Sequence, residues 1–323
     1  MDSTGAPNAI LAINSLDRYI TGKANQPTDN ALIAEYEGID PPSNNFAIQS
    51  PGALIYGYIN RLIVSQIQLQ CNIPTIVPNR NNRFFIALTA TNVLYPITIP
   101  YGYYTPAELA AMLQIQIAAV PALAAGTFTV TYNPQNGFVF RSTAVVPLNF
   151  YFPDTDQILN TPGETNASVK VVLKAYKVLG MTLGNADIGG PGISIQISSN
   201  TPNFLYTPYI DFYSDVLTNY QNVKDTNTSV AKPKGLIARV YLSGSGGVQG
   251  QRATSALGSE PFVVTADLNS PKIIRWEPNV AVPSIDFQLL DCYGDFIPGP
   301  SPFDNIYYAQ TEFQMTLLCV EGE

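Results

Sequence analysis

The chain has 323 residues, of which 46% are hydrophobic and only 12% are charged, and its net charge is −8. This length supports one large domain or two modest ones, each with a substantial core. The charged fraction is about half of that in ordinary soluble proteins, and no cluster of Lys and Arg occurs, so the electrostatic signature of a nucleic-acid-binding protein is missing.

The first fifty residues show few strand patterns and contain the Pro41-Pro42 break. We therefore predict an extended amino-terminal arm over residues 1–50, with a solvated tail as the alternative interpretation. Within the arm, one short polar segment is the candidate contact site with a partner. Its residues are Asn14, Ser15, Asp17, Arg18 and Tyr19.

The first clear strand runs from Asn60 to Asn72. Its alternation places Ile63, Ser65, Ile67, Leu69 and Cys71 on one face, and three glutamines at 66, 68 and 70 on the other. An uncharged glutamine face suits contact with another protein, because interface cores are depleted in charge. A solvated face is the alternative.

The next block, at about 80–183, mixes strands and helices. Strands are predicted at 84–90 and 93–99, and Pro96 indicates an edge position for the second. The segment from Thr105 to Glu108 is a capping box with Pro at the first helical position, which predicts a helix that ends at Pro121. A hairpin follows over 128–140, then a second helix that ends near Gly180.

The remaining chain predicts strands at 193–197, 209–213, 236–242 and 262–266. Two closing strands, at 285–290 and 312–320, alternate apolar and polar residues with a period of two. The fold class is therefore all-β. We predict an antiparallel jelly-roll β-sandwich over 51–323, built from the strand near residue 60 and the strands after about 205. The block at 80–183, with two short helices, belongs to the roll or forms an inserted domain.

The sequence offers little catalytic chemistry, since no histidine occurs and the usual imidazole-dependent sites are excluded. Two pairs of carboxylates, Asp211 with Asp215 and Asp154 with Asp156, lie in turn-prone sequence where Asp serves the backbone. We predict no catalytic, cofactor-binding or metal-binding residue, and no enzymatic activity.

Three cysteines, Cys71, Cys292 and Cys319, are odd in number and far apart in sequence. Buried free thiols are expected, as in proteins assembled in a reducing compartment, with a Cys292–Cys319 disulfide as the alternative. The amino terminus lacks the basic and apolar regions of a signal peptide. The apolar segment at 109–125 is broken by Pro121 and is too short to span a membrane.

Three motifs carry a family resemblance. They are the segment Asn14–Ile20, the segment "IPYGYYTPAELAAMLQ", and the strand and turn "IDFQLLDCYG" followed by a terminal apolar strand. Together they resemble the single jelly-roll penton and minor capsid proteins of icosahedral double-stranded DNA viruses, including virophages and giant viruses.

The resemblance implies a structural capsid protein, a penton subunit that forms a five-fold ring at the vertices of the capsid. It also implies a homo-pentamer, contact between the arm and a neighbouring major capsid protein, no direct contact with nucleic acid, and location in the virion. The alternatives are a carbohydrate- or receptor-binding virion protein, a minor capsid or cement protein, and a β-sandwich hydrolase.

Overall fold

The computed structural model describes residues 9–16, 43–49, 52–55, 59–78, 80–88, 93–123, 128–143, 148–152, 175–182, 184–188, 194–198, 200–219, 235–242, 261–268, 273–276, 281–298 and 310–321. The chain divides into two compact units. The first comprises residues 1–73, 207–252 and 261–323, and the second comprises residues 74–206 and 253–260.

The described strands, in chain order, are β1 (Ala9–Asn14), β2 (Asn45–Gln49), β3 (Ile59–Cys71), β4 (Arg83–Leu88), β5 (Val93–Thr98), β6 (Phe128–Asn133), β7 (Gly137–Ser142), β8 (Leu148–Phe152), β9 (Gly184–Ile188), β10 (Ser194–Ile197), β11 (Tyr209–Tyr213), β12 (Leu236–Tyr241), β13 (Phe262–Asp267), β14 (Ile273–Arg275), β15 (Ser284–Leu290) and β16 (Glu312–Glu321). The helices of the described residues are α1 (Pro106–Ala118), α2 (Ala175–Leu179) and α3 (Asp215–Thr218).

The first unit is a jelly roll. Its two antiparallel sheets have the strand orders β1-β16-β3-β13, with β14 also paired to β3, and β12-β11-β15-β2. When β13 and β14 are counted as one strand, consecutive strands of this unit alternate between the two sheets except for β11 and β12, which pair within one sheet. This is the arrangement of a jelly roll. The predicted fold class is confirmed.

A group of phenylalanines forms the centre of the jelly-roll core. Phe313 of β16 contacts Phe46 of β2, Phe212 of β11 and Phe287 of β15, with ring centroids 5.9, 5.0 and 5.4 Å apart. These distances suit aromatic pairs, each of which contributes about 0.5–1.5 kcal/mol beyond the area that it buries. The side chain of Phe313 therefore contacts three strands of the opposite sheet.

Two strands lie where the sequence predicted an arm. β1 pairs with β16 over six residues, and β2 pairs with β15. Both are short, and in β1 only Ile13 is buried, so the apolar alternation that marks a strand is almost absent from its sequence. Pairing with a long buried neighbour, rather than local pattern, determines this strand. Residues 17–42, which connect β1 to β2, lie outside the described residues.

The second unit is inserted in the chain between β3 and β11. It contains the sheets β5-β4-β8-β9 and β10-β7-β6 together with α1 and α2. Its core is built largely from phenylalanines of the strands and leucines of the helices, among them Phe84, Phe138, Phe150 and Leu113. The unit is larger than the block at 80–183 that the sequence indicated, since it also takes in β9 and β10.

Local signals in this unit match its structure. Thr105 and Glu108 form the predicted capping box, because the Thr105 N–H donates to Glu108 Oε2 (2.8 Å) and the Glu108 N–H donates to Thr105 Oγ1 (3.3 Å). Pro96 lies in β5, which is an edge strand of the described sheet. Gly180 ends α2 with φ of +66°, a conformation that favours glycine.

Candidate assembly surface

The outer face of the first jelly-roll sheet is the candidate functional surface. In β16 the residues Phe313, Met315, Leu317 and Cys319 are buried, while Gln314 between them is exposed. β3 and β13 also place buried residues next to outward ones, and β1 pairs with β16 along one edge. The register of the sheet therefore aligns the outward residues of four strands in rows.

One part of this face carries neutral side chains. Asn14, Gln314, Gln68 and Thr265 stand next to one another across β1, β16, β3 and β13. The adjacent row contains Ala12, Thr316 and Gln66, and it ends in the charged Asp267 of β13, which is not counted in the band. We call these seven residues the neutral band. At its edge, Gln66 Nε2 donates a 2.9 Å hydrogen bond to Asp267 Oδ1. The band therefore offers amide and hydroxyl groups with no formal charge of its own.

A β-bulge changes which residues of β3 face outward. The register with β16 shifts at Thr316 and Leu317, which lie opposite Gln66 and Val64, so Ser65 is the extra residue. The sequence predicted Ile63 on the buried face with Ile67. In the structure Val64 is fully buried and Ile63 is partly exposed. That prediction was wrong because the bulge shifts the alternation by one residue.

The bulge creates an aliphatic row beside the neutral band. In register across β1, β16, β3 and β14 the row reads Ile10, Leu318, Ile63 and Ile273. Ile10 is 66% exposed and Ile273 is 48% exposed. Single exposed apolar residues are common on proteins, but an in-register row across a sheet is a contiguous patch of the kind that marks an interaction surface.

The predicted arm site begins at the end of β1. Asn14 lies in the neutral band, and its side-chain oxygen accepts a hydrogen bond from the Leu16 N–H (3.0 Å). Ser15 is completely buried. Its backbone N–H and side chain both contact Phe313, and its hydroxyl also donates to Glu312. The other three candidate residues, Asp17, Arg18 and Tyr19, lie outside the described residues.

A second polar cluster lies on the outer face of the other sheet. Arg239 Nε and Nη2 donate to the two carboxylate oxygens of Asp211 at 2.6 and 2.8 Å, and the guanidinium lies 3.9 Å from the centre of the Tyr209 ring. Tyr241, which is 59% exposed, packs edge-on against Tyr209. The hydrogen bonds to Asp211 raise the pKa of Arg239 above its ordinary value.

The structure gives Asp211 and Asp215 separate roles. Asp211 is the partner of Arg239, whereas Asp215 begins α3 and its backbone N–H donates to the Asp286 carboxylate (3.0 Å). Neither α3 nor the ion pair was predicted. The ion pair depends on the register of β11 and β12, which places Asp211 directly opposite Arg239, and no local pattern reveals that register. The alternative pair, Asp154 and Asp156, lies outside the described residues.

The three cysteines are free, with Cys71 and Cys319 buried and Cys292 half-buried. Burial raises the pKa of the Cys71 thiol to about 12, although a hydrogen bond from the Ile73 backbone acts in the opposite direction. Burial also raises the pKa of Cys319. Both thiols therefore stay protonated and unreactive at neutral pH.

Within the described ranges, no three side chains of the metal-binding types Cys, Asp and Glu come together as a ligand set. The helices of the same residues include none with the length and hydropathy that a bilayer crossing requires.

Comparisons with known proteins gave structural neighbours alone. The chain is similar to the mavirus penton protein, with a TM-score of 0.45 and 12% sequence identity over 97% of this chain and 99% of that one. It is also similar to a chain in the structure of the Sputnik virophage, with a TM-score of 0.42 and 12% identity over 98% of each. No protein-family model and no curated protein matches the sequence.

Proposed function

We propose that this chain is a structural capsid protein, a penton subunit that forms a five-fold ring at the vertices of an icosahedral viral capsid. Its site of action would be the virion, and its neighbours would be further copies of itself and a major capsid protein. The three sequence motifs, which resemble those of penton and minor capsid proteins, support the proposal.

The observation that carries the proposal is the outer face of the first sheet. The neutral band and the aliphatic row together form an uncharged part of this face, which is the composition of the centre of a protein interface. A ring needs a heterologous contact, in which one surface of a subunit binds a different surface of the next and the rotation closes. The outer face supplies one of the two surfaces.

We further propose that residues 1–50 act as an arm beyond β1. The hydrogen bonds of Ser15 fasten the chain to β16 immediately before the polar segment of Asp17, Arg18 and Tyr19. In this proposal the segment starts from a fixed point on the jelly roll and contacts a neighbouring major capsid protein.

The ring is tested by native mass spectrometry and cryo-electron microscopy of the purified chain, alone and with its capsid partner. Wild type is expected to form a five-fold assembly. Ile10→Glu places a charge in the aliphatic row on β1, at least two strands away from the arginines of β3 and β14, and is expected to abolish the assembly, because a charge in an interface core has no partner. Ile197→Glu is the matched control, since Ile197 is 44% exposed but lies in the inserted unit, and it is expected to assemble normally.

A wild-type chain that stays monomeric with its capsid partner would contradict the proposal. If the two glutamate variants assemble equally well, the outer face of the first sheet is not part of the ring contact. The number of copies per particle then separates a penton from a cement protein of the same fold, because pentons occupy only the vertices.

A further inference from the structure

We infer that Arg61 and Arg275, together with the aliphatic row beside them, form a binding site for carboxylate groups on a second copy of this chain. The inference rests on the proposed ring and names the chemistry of one of its contacts. It draws on an arrangement of charges that the stability of the jelly roll alone does not explain.

The two arginines lie directly opposite each other on adjacent antiparallel strands. The register of β14 and β3 pairs Arg275 with Arg61 and, two residues along, Ile273 with Ile63. The four residues therefore form a compact block on the outer face, with two cationic and two aliphatic side chains. Arg275 and Ile273 are exposed, whereas Arg61 and Ile63 are partly exposed.

Neither arginine has a charge partner among the residues that the structure describes. Among the described residues, Arg239 has an ion pair with Asp211, but Arg61 and Arg275 have neither an ion pair nor a side-chain hydrogen bond. Like charges directly opposite each other on neighbouring strands are destabilising. A chain with only 16 basic residues in 323 thus places two of them where they repel.

A ligand with carboxylates would remove this repulsion. Arginine binds carboxylates through paired hydrogen bonds, and an adjacent apolar surface strengthens them by excluding water. A partner surface that carries acidic and aliphatic side chains fits the block, because it would neutralise the arginines and cover Ile63 and Ile273 in one contact.

A second copy of the chain has the required charge. The sequence has 24 acidic residues and a net charge of −8, so two copies repel each other at long range. A contact between them is favoured where a local positive site meets an acidic one, and the arginine pair is such a positive site. Nucleic acid is a poorer fit, because binding to its backbone normally uses many more cationic contacts than two.

The test measures assembly of the full chain by native mass spectrometry and sedimentation velocity over a range of concentrations. The variant Arg61→Glu/Arg275→Glu is compared with wild type and with Arg141→Glu, an exposed arginine of the inserted unit. Circular dichroism and thermal unfolding establish that each variant is folded. For the double variant we expect the concentration of half-assembly to rise about tenfold or more, and no change for Arg141→Glu.

Salt provides a second readout. Salt screens both the long-range repulsion between two acidic copies and the contact between arginine and carboxylate. Raising the ionic strength from about 0.05 M to 0.5 M is therefore expected to narrow the difference in assembly between wild type and the double glutamate variant, because only wild type has the arginine contact to lose. Arg61→Lys/Arg275→Lys keeps the charge but loses the paired hydrogen bonds, and it is expected to assemble less well than wild type and better than the double glutamate variant. If the arginines only stabilise the fold, their substitution would change the thermal stability of the chain but not the salt dependence of its assembly.

The outcomes separate the two proposals. If wild type forms no ring, the proposed function fails and this inference fails with it. If wild type forms the ring and the double glutamate variant does so at the same concentration, the inference is overturned while the proposed function stands. Binding of wild type to duplex DNA or to phosphatidylserine vesicles that the double variant loses, with assembly unchanged, would also overturn it, because the partner would then belong to another class.

Discussion

Ser15 and Phe313 exchange two hydrogen bonds across 298 residues of sequence. The Ser15 N–H donates to the Phe313 carbonyl oxygen and the Phe313 N–H donates to Ser15 Oγ, each at 2.9 Å. The same Phe313 holds three phenylalanines in the core. The strand nearest the amino terminus is thus fastened to the residue around which the sandwich packs.

Ser15→Ala is therefore expected to destabilise the jelly roll by about 1–3 kcal/mol, because it leaves the buried Phe313 N–H without an acceptor. Urea unfolding followed by the fluorescence of Trp276 measures this, since the chain has one tryptophan and it lies in the jelly-roll unit. Thr265→Ala, on the outer face of β13, is the control and is expected to change the free energy of unfolding by less than about 0.5 kcal/mol. Equal effects of the two changes would contradict the role of Ser15.

The ion pair between Asp211 and Arg239 is expected to stabilise the pairing of β11 with β12. Asp211→Ala leaves the guanidinium without its acceptors, and we expect a loss of about 1–3 kcal/mol, less than for a fully buried pair because one third of Arg239 is exposed. A double-mutant cycle with Arg239→Ala isolates the pairwise energy. Arg239→Lys is expected to recover part of it, and additive single effects would show that the pair contributes nothing.

Alkaline pH is expected to destabilise the jelly roll partly through Cys71. The unfolded thiol loses its proton near pH 9, whereas the buried thiol has a pKa of about 12. Between these values the folded chain holds a proton that the unfolded chain has released, so stability is full below pH 9 and falls as the pH rises. The slope from this group reaches at most about 1.4 kcal/mol per pH unit.

Urea unfolding of wild type and Cys71→Val at pH 8 to 11 tests this expectation. The variant removes the titrating group and keeps the side chain apolar, so its stability is expected to fall less steeply with pH. Cys292→Ser is the control, because Cys292 is only half-buried. Parallel curves for wild type and Cys71→Val would contradict the prediction.

The capping box of α1 predicts a local effect in the inserted unit. Thr105→Ala removes the acceptor for the Glu108 N–H and is expected to cost about 0.5–2 kcal/mol. Hydrogen exchange of the α1 amides measures it, and the first turn is expected to exchange faster. Thr129→Ala, an exposed change in β6, is the control. Unchanged protection of the first turn in Thr105→Ala would show that the cap does not hold the helix.

Local chemistry made much of the fold predictable. The capping box at Thr105, the hairpin turn between β6 and β7, and the alternation in β15 and β16 each concern neighbouring residues, so the sequence alone contains the signal. The jelly roll followed from the alternating strands after residue 205. The strand β1 was missed because five of its six residues are not buried, and its structure depends on β16.

The surface was predictable only in part. The three glutamines of β3 were predicted to share one face, and the structure places all three on the outer face of the sheet. The aliphatic row was not predictable, because the bulge at Ser65 moves Ile63 to the outside and only the register with β16 reveals the bulge. The arginine pair likewise exists only through the register of β14 with β3. The register between strands that are distant in sequence cannot be predicted from a pattern of neighbouring residues.

In the proposed capsid, the absence of titrating groups from the neutral band would affect how the particle responds to pH. Amide and hydroxyl side chains keep the same protonation state in an endosome and in the medium, and the whole chain contains no imidazole to sense the difference. A contact made from these side chains alone would not weaken on acidification, whereas the proposed contact of Arg61 and Arg275 with carboxylates would weaken once those carboxylates take up protons. The neutral part of the proposed vertex would need another stimulus to open, such as mechanical force or proteolysis.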